Sequence, residues 1–240
     1  MPRLEPYSRD LDYSYALGAF ACFNLISSRP AQARRLLISP EGYDSEGAAL
    51  LRKKCAELGV REEEAGRVLR RESKKDNCYV GMVFSKAETR LDAGAPHVVL
   101  CQIMDAGNLG TAMRAAVGFG FENVALVRPC VDQFDPRVVR ASMGAFFNLN
   151  VMTYDSFDEY EREFSDRDLY PFMLDRNAMP LDEAAKTVES PRFSLVFGNE
   201  QSGLPKNFSG KGRCVFIPQS DKIDSFNLAM AVTLASYAFR

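Results

Sequence analysis

The pattern of apolar and polar positions divides the chain into two regions. Residues 14–27 (SYALGAFACFNLIS) are apolar almost throughout and predict a mostly buried helix. Leu36–Ile38 is a short apolar run suited to a strand. Residues 46–58 have helical spacing closed by Gly59, and residues 62–72 suggest a further short helix. CYVGMVF at 78–84 then reads as a strand, which completes a small α/β unit. Residues 85–96 (SKAETRLDAGAP) are polar and end in Gly and Pro, as a linker would. Beyond them, strands at 98–104, 123–127, 149–153, 169–174, 193–197 and 213–217 alternate with helices at 109–119, 136–146, 156–164, 181–187 and 226–239. Continuous apolar strands alternating with helices predict an α/β fold with a parallel sheet covered on both faces. Ligands of such sheets bind beyond the carboxyl ends of the strands. The expected organisation is a small α/β domain over 1–84, a linker over 85–96 and a larger α/β domain over 97–240.

Composition narrows the classes. The chain has 240 residues and is 46% hydrophobic, enough for real cores. It contains no apolar run long enough to span a membrane, and the polar start Met1–Asp10 does not read as a signal peptide. The cysteines Cys22, Cys55, Cys78, Cys101, Cys130 and Cys214 are scattered, with no close pair at metal-ligand spacing. Reduced thiols, no metal and a cytoplasmic location are therefore expected. The net charge of −2 is not that of a generic nucleic-acid binder. Residues 1–97, however, hold 16 Lys+Arg against 14 Asp+Glu, and residues 98–240 hold 14 against 18. The cations of the first part cluster at Arg34 and Arg35 and at Arg70, Arg71, Lys74 and Lys75. Local patches matter more for phosphate binding than net charge does, although solvated helix faces carry similar clusters.

Three segments stand out because each is a turn just after an expected strand. In the first, Asp105–Arg114 (DAGNLGTAMR), Asn108 suits a helix N-cap and Gly110 permits close approach. Arg114 lies inside the helix, where a guanidinium near a strand end suits a phosphate or carboxylate. In the second, the apolar strand FSLVF ends in the Gly-rich turn Gly198–Leu204 with one carboxylate, Glu200. It lacks the lysine and spacing of a phosphate loop and is no dinucleotide fingerprint, which argues against a Rossmann dehydrogenase. In the third, Ile217-Pro218 is followed by a polar loop, with Ser225 placed to cap a final apolar helix. Asn227 is unusual at the head of that helix, since an unpaired buried amide is costly. The only histidine, His97, follows a proline and reads as structural.

Together and in this order these segments resemble the SpoU/TrmH-type branch of the SPOUT RNA methyltransferases. Asn108, Gly110 and Arg114 match an Asn-x-Gly-x-x-x-Arg motif. Gly198, Asn199, Glu200, Gly203 and Leu204 match Gly-Asn-Glu-x-x-Gly-Leu. Ile217, Pro218, Ser225 and Asn227 match Ile-Pro followed by Ser-Leu-Asn, and Arg140-Ala-Ser-Met-Gly-Ala145 looks like the family's Arg-Ala-Ser-x-Gly-Ala element. The match covers about residues 98–239. It departs at Gln201, Gln219, Asp221 and Phe226, which bears on pocket shape and substrate.

The resemblance implies methylation of a ribose 2′-hydroxyl in tRNA or rRNA by S-adenosylmethionine, releasing S-adenosylhomocysteine. It implies a trefoil knot in the carboxyl-terminal domain, a homodimer formed through that domain, and an amino-terminal substrate-binding domain related to ribosomal RNA-binding proteins. It assigns catalytic roles to Arg114, Asn108, Glu200, Ser225 and Asn227. Cofactor contacts fall to Leu174, Phe197, Gly198, Asn199, Ile217, Phe226 and Leu228. RNA contacts fall to Arg140 and Ser142, alongside the cation clusters Arg34, Arg35, Arg70, Arg71, Lys74 and Lys75. A SPOUT-fold base methyltransferase and a non-catalytic RNA-binding assembly factor are the alternatives.

Overall fold

The computed structural model describes residues 4–175 and 177–240. The chain forms two compact units, one from the amino-terminal part through Ala87 plus Asp132–Asn148, the other from Glu88–Val131 and Leu149–Arg240.

The first unit begins with β1 (Tyr13–Leu17), α1 (Ala19–Ser28), β2 (Ala33–Ile38), α2 (Glu46–Glu57), β3 (Arg61–Glu64), α3 (Gly66–Ser73) and β4 (Val80–Ser85). Its sheet has the order β1-β4-β2-β3, antiparallel except for the parallel β2–β3 pair. The helix expected over 14–27 is therefore two elements. Residues 13–17 pair with β4 in register Ala16↔Met82, and Gly18 at φ 91 turns the chain into α1. An unbroken apolar run carries no period to separate a buried strand from a buried helix, so pairing decided it. The helix expected over 62–72 is also divided. Arg61–Glu64 form a charged edge strand that exists only by its pairing with β2, and the helix starts at Gly66.

The second unit continues with β5 (His97–Cys101), α4 (Ala106–Gly118) and β6 (Asn123–Val127). The chain then contributes α5 (Pro136–Ala141) and a 3₁₀ turn at Ala145–Asn148 to the first unit. The single helix expected over 136–146 ends at Ala141 because Met143 and Gly144 take positive φ values of 54 and 83. The second unit resumes with β7 (Asn150–Tyr154), α6 (Phe157–Glu163), β8 (Asp168–Pro171), β9 (Met179–Pro180), α7 (Leu181–Ala185), β10 (Phe193–Phe197), β11 (Val215–Phe216) and α8 (Leu228–Ala238). Five strands form a wholly parallel sheet in the order β7-β6-β5-β10-β8, and β9 pairs in parallel with β11. Every residue of β5, β6 and β10 is buried, as the continuous apolar pattern requires. On one face Val99, Cys101, Ala125, Val127 and Val196 meet Phe157 and Tyr160 of α6 and Phe164 just after it. Helices α4 and α8 pack against each other, and α8 lies on β10.

His97 is structural, as expected. It is fully buried, with Nε2 2.8 Å from the Asp92 carbonyl oxygen and Nδ1 2.9 Å from the Tyr160 hydroxyl. A carbonyl only accepts, so Nε2 carries the proton and Nδ1 accepts from Tyr160. Burial, helped by the Arg167 guanidinium, pushes the imidazole down to about 4 from its ordinary 6.5. The unfolded chain therefore binds a proton below pH 6.5 that the folded chain refuses. The stabilisation is complete above pH 6.5 and is lost as pH falls to 4, a change of about 3 kcal/mol. Chemical denaturation at stepped pH should show this slope in the wild type and a flatter one in His97→Gln. Equal slopes would remove His97 from the acid response.

Candidate active site

The site is assembled where β5, β8 and β10 end. At the end of β5, Gln102 takes φ 60 and donates its backbone N–H to the Val127 carbonyl at 2.9 Å. The chain then enters α4, whose N-cap is Asp105 rather than Asn108. Asp105 Oδ1 accepts from the Asn108 N–H at 2.7 Å. The Asn108 side chain is thereby released from capping.

At the end of β10 the chain folds back on itself. Gly203 has φ 65, its N–H donates to the Asn199 carbonyl at 2.8 Å, and Asn199 and Gly203 form a bridge. A Cβ on Gly198 would lie 2.2 Å from the Gly203 carbonyl carbon and 2.3 Å from the Leu204 nitrogen, so backbone passes directly over this residue. The Asn199 side chain fixes the loop from within. Its Oδ1 accepts from the Gln201 N–H at 2.9 Å, and its Nδ2 donates to the Gln102 carbonyl at 2.8 Å.

Three polar side chains from three segments meet here. Asn108 Nδ2 donates to Glu200 Oε1 at 3.2 Å, and Asn227 Nδ2 donates to Asn108 Oδ1 at 2.8 Å. A carboxylate only accepts, so Glu200 fixes the orientation of the Asn108 amide, and Asn108 fixes that of Asn227. Asn227, not Ser225, caps the final helix, with Oδ1 accepting from the Ala229 N–H at 2.9 Å. Every polar atom of the unusual Asn227 amide is thus directed.

Beside this chain of amides lies a cavity of about 720 Å³, within the range of small-molecule sites. All seven residues expected to hold a cofactor line it: Leu174, Phe197, Gly198, Asn199, Ile217, Phe226 and Leu228. Glu200 and Ser225 line it too. Asn108 and Asn227 reach it through Glu200. Arg114 stands apart. It is exposed on α4 with Gly107, Thr111 and Gly118, and it takes no part in the amide chain. Three contributors were not legible in the sequence. The backbone oxygen of Gln102 anchors Asn199, Phe172 stacks on Phe197 at 4.5 Å and 15°, and Asp175 adds a second carboxylate to the lining. A chain gives no local signal for a left-handed glutamine or for two rings brought together from adjacent strands.

The expected RNA-binding residues lie in the other unit and differ in availability. Arg34 pairs with Asp12 at 2.8 Å, Arg35 with Glu63 at 3.2 Å, Arg70 with Glu41 at 3.4 Å and Arg71 with Glu72 at 2.6 Å. Arg71 also donates to the Leu4 carbonyl at 3.2 Å, which makes it part of the fold. Lys74, Lys75 and Arg140 stand outside these ion pairs. Lys74 closes α3 at φ 52, and Arg140 donates to the Ser73 carbonyl at 2.6 Å. Ser142 is fully buried and its hydroxyl donates to the Val139 carbonyl at 2.8 Å, within the turn that follows α5.

The fold and the motifs have counterparts. Residues 95–237 match the model of the SpoU rRNA Methylase family. Over 75 residues the chain is 40% identical to rRNA methyltransferase 3, mitochondrial, of Homo sapiens, covering 31% of this chain and 17% of that protein. Over 165 residues it is 26% identical to the 23S rRNA (guanosine(2553)-2′-O)-methyltransferase RlmP of Bacillus subtilis, covering 67% of this chain and 64% of that protein. The chain thus spans less than two thirds of either relative's length. Among solved structures, an AdoMet-bound rRNA methyltransferase from Sinorhizobium meliloti superposes with a TM-score of 0.77 at 23% identity, covering 95% of this chain and 87% of that one.

Proposed function

Because the chain belongs to the SpoU rRNA methylase family, we propose that it transfers a methyl group from S-adenosylmethionine to a ribose 2′-hydroxyl of tRNA or rRNA. The observation that carries this reading is the cavity at the carboxyl ends of β8 and β10, with Glu200 in its wall and two asparagines aligned behind it. The cavity fits the cofactor. Its volume suits a nucleoside-sized ligand, and Gly198 leaves backbone rather than side chain at its wall. Asp175 and Glu200 suit a cationic group. Leu174, Phe197, Phe226 and Leu228 supply apolar surface, and the backbone of Gly198 and Ile217 supplies hydrogen bonds.

S-adenosylmethionine, when bound, supplies a methyl group on a positively charged sulfur. The protein's part is alignment and charge. Methylation of a ribose hydroxyl would also release its proton, which would pass to solvent water. Alignment of the reacting oxygen supplies much of the acceleration. Glu200 stands in the wall for that purpose, held from behind by Asn108 and Asn227, and Ser225 adds a hydroxyl to the wall. Arg114 is not a base, because a guanidinium stays protonated. Its role is to hold the target phosphate or ribose and to stabilise charge developing on the 2′-oxygen.

In the same reading the amino-terminal unit binds the RNA, the carboxyl-terminal unit is knotted as a trefoil, and the protein is a cytoplasmic homodimer. Met230, Leu234 and Tyr237 support the dimer. They recur at helical spacing on α8 and are 56%, 38% and 56% exposed. Ribose as the target is supported by the name of the Bacillus relative, which specifies a 2′-O position. Titration calorimetry should show S-adenosylmethionine binding to the purified protein, alone or with RNA. Nucleoside mass spectrometry after incubation with tRNA and rRNA should then show a 2′-O-methyl nucleoside. A base-methylated product would move the assignment to a base methyltransferase, and no cofactor binding under either condition would leave an assembly factor.

A further inference from the structure

The geometry points to a nucleotide-docking cleft in the amino-terminal unit, which holds one unstacked base of the RNA on Phe20 and its phosphate on Lys75 and Arg140. The inference deepens the RNA-methyltransferase reading and takes from it the identity of the ligand as RNA. This unit contains a cavity of about 450 Å³ whose walls include Gly18, Phe20, Lys75, Asn77, Arg140 and Met143. Among the described residues, two cations and no carboxylate line it. Asp76, next to Lys75 in the chain, is not part of the wall. The charge therefore selects an anion.

The walls are held in place rather than left to chance. Gly144 has φ 83, and a Cβ there would lie 2.8 Å from Ala21 Cα and 2.9 Å from Asn24 Cβ, so the turn after α5 sits directly on the first turns of α1. Asn24 Nδ2 ties the two together, donating to the Phe20 carbonyl at 3.0 Å and the Met143 carbonyl at 3.3 Å. Met143 is held at φ 54, a left-handed backbone unusual for a residue with a side chain. Arg140 is aimed by one hydrogen bond, to the Ser73 carbonyl at 2.6 Å. A guanidinium has five N–H donors, so most remain for a phosphate.

Phe20 supplies the specificity for a base. Along α1, Ala21, Cys22, Leu25 and Ile26 are buried, yet Phe20 is 66% exposed. An aromatic ring left in water at the same cavity as two cations is the arrangement by which single-stranded nucleic acid is held. Bases stack on rings while cations follow the phosphates. Met143, 38% exposed, offers a second soft apolar contact at the same cavity. The cleft therefore recognises an unpaired nucleotide by stacking and charge, with little preference among bases.

The chain contains no tryptophan, so Phe20→Trp installs a single indole at the cleft. A short 5′-phosphorylated single-stranded oligoribonucleotide of mixed sequence should quench its fluorescence saturably. Phe20→Ala should weaken binding of that oligonucleotide about 5- to 100-fold, and Phe20→Tyr should retain it. Lys75→Ala combined with Arg140→Gln should flatten the salt dependence. Inorganic phosphate that competes fully with the oligonucleotide would reduce the cleft to an anion site and overturn the base-stacking claim. An unquenched indole, or wild-type affinity in Phe20→Ala, would overturn the inference outright. S-adenosylmethionine binding measured on the same samples separates the two readings. Cofactor bound with the indole unquenched removes this cleft alone, whereas quenching without cofactor binding removes the methyltransferase assignment and keeps the cleft.

Discussion

Arg114→Ala is expected to fold and bind S-adenosylmethionine like the wild type while losing methyl transfer by about 100- to 1,000-fold. That loss corresponds to about 2–4 kcal/mol, the scale of one donor to a developing oxyanion. The expectation starts from position. Arg114 sits on the exposed face of α4 and outside the hydrogen-bonded chain of Asn108, Glu200 and Asn227. Truncating an exposed helical arginine costs the fold little. None of the residues lining the cofactor cavity changes. Lost activity in a stable, cofactor-binding variant would therefore report on the reaction and not on packing. Arg114→Lys keeps the charge but loses the planar fork and should rescue little. Single-turnover kinetics at saturating RNA and cofactor make the measurement. A wild-type rate there would take Arg114 out of the mechanism and leave the amide chain as the only chemical machinery.

Gly198→Ala should abolish cofactor binding and lower stability at the same time. One methyl group is added, but it would lie 2.2 Å from the Gly203 carbonyl carbon and 2.3 Å from the Leu204 nitrogen. These are backbone atoms that no rotamer change can move aside. The fold-back of residues 198–204 must open, which strains the Gly203-to-Asn199 hydrogen bond and shifts Glu200 away from Asn108. Overpacking of this kind costs about 1–3 kcal/mol and occasionally more. Gly210→Ala is the control, because nothing lies within 4 Å of the added carbon. Thermal melting and titration calorimetry on both variants should separate them clearly. A Gly198→Ala protein with wild-type affinity would mean that this loop does not shape the cofactor site.

Much of the site was readable along the chain because its residues fall in turns after strands. The motif residues Asn108, Glu200 and Asn227 are joined by hydrogen bonds, and the seven positions expected to hold a cofactor line one cavity, Gly198 among them. What the motifs did not convey was which side chain does which local task. Asp105 and Asn227 cap the two helices, which leaves the Asn108 side chain free for Glu200 and Ser225 free at the cavity wall. Capping depends on the φ/ψ of single residues, and several neighbouring Asp, Asn and Ser residues suit the role equally. The cation clusters were likewise visible as charge but not as availability. Whether an arginine meets RNA or an acid far along the chain is a matter of packing. Arg70 pairs with Glu41 and Arg71 donates to the Leu4 carbonyl, whereas Lys75 stands outside these contacts.

The sequence by itself determined the parallel sheet, since β5, β6 and β10 are apolar at all but one position each (His97, Asn123 and Ser194), and only a strand covered on both faces suits such a run. It also determined that the motif turns would share one sheet edge, because strand–turn–helix units place their turns there. The tertiary structure alone decided that Tyr13–Leu17 is a strand, that Arg61–Glu64 pair with β2 at the opposite edge of the same sheet, and that Asp132–Asn148 pack with the first unit. The reason is common to all three. Periodicity records which side of a segment is buried, but pairing and packing partners far along the chain supply the free energy that chooses among conformations the local pattern leaves nearly equal.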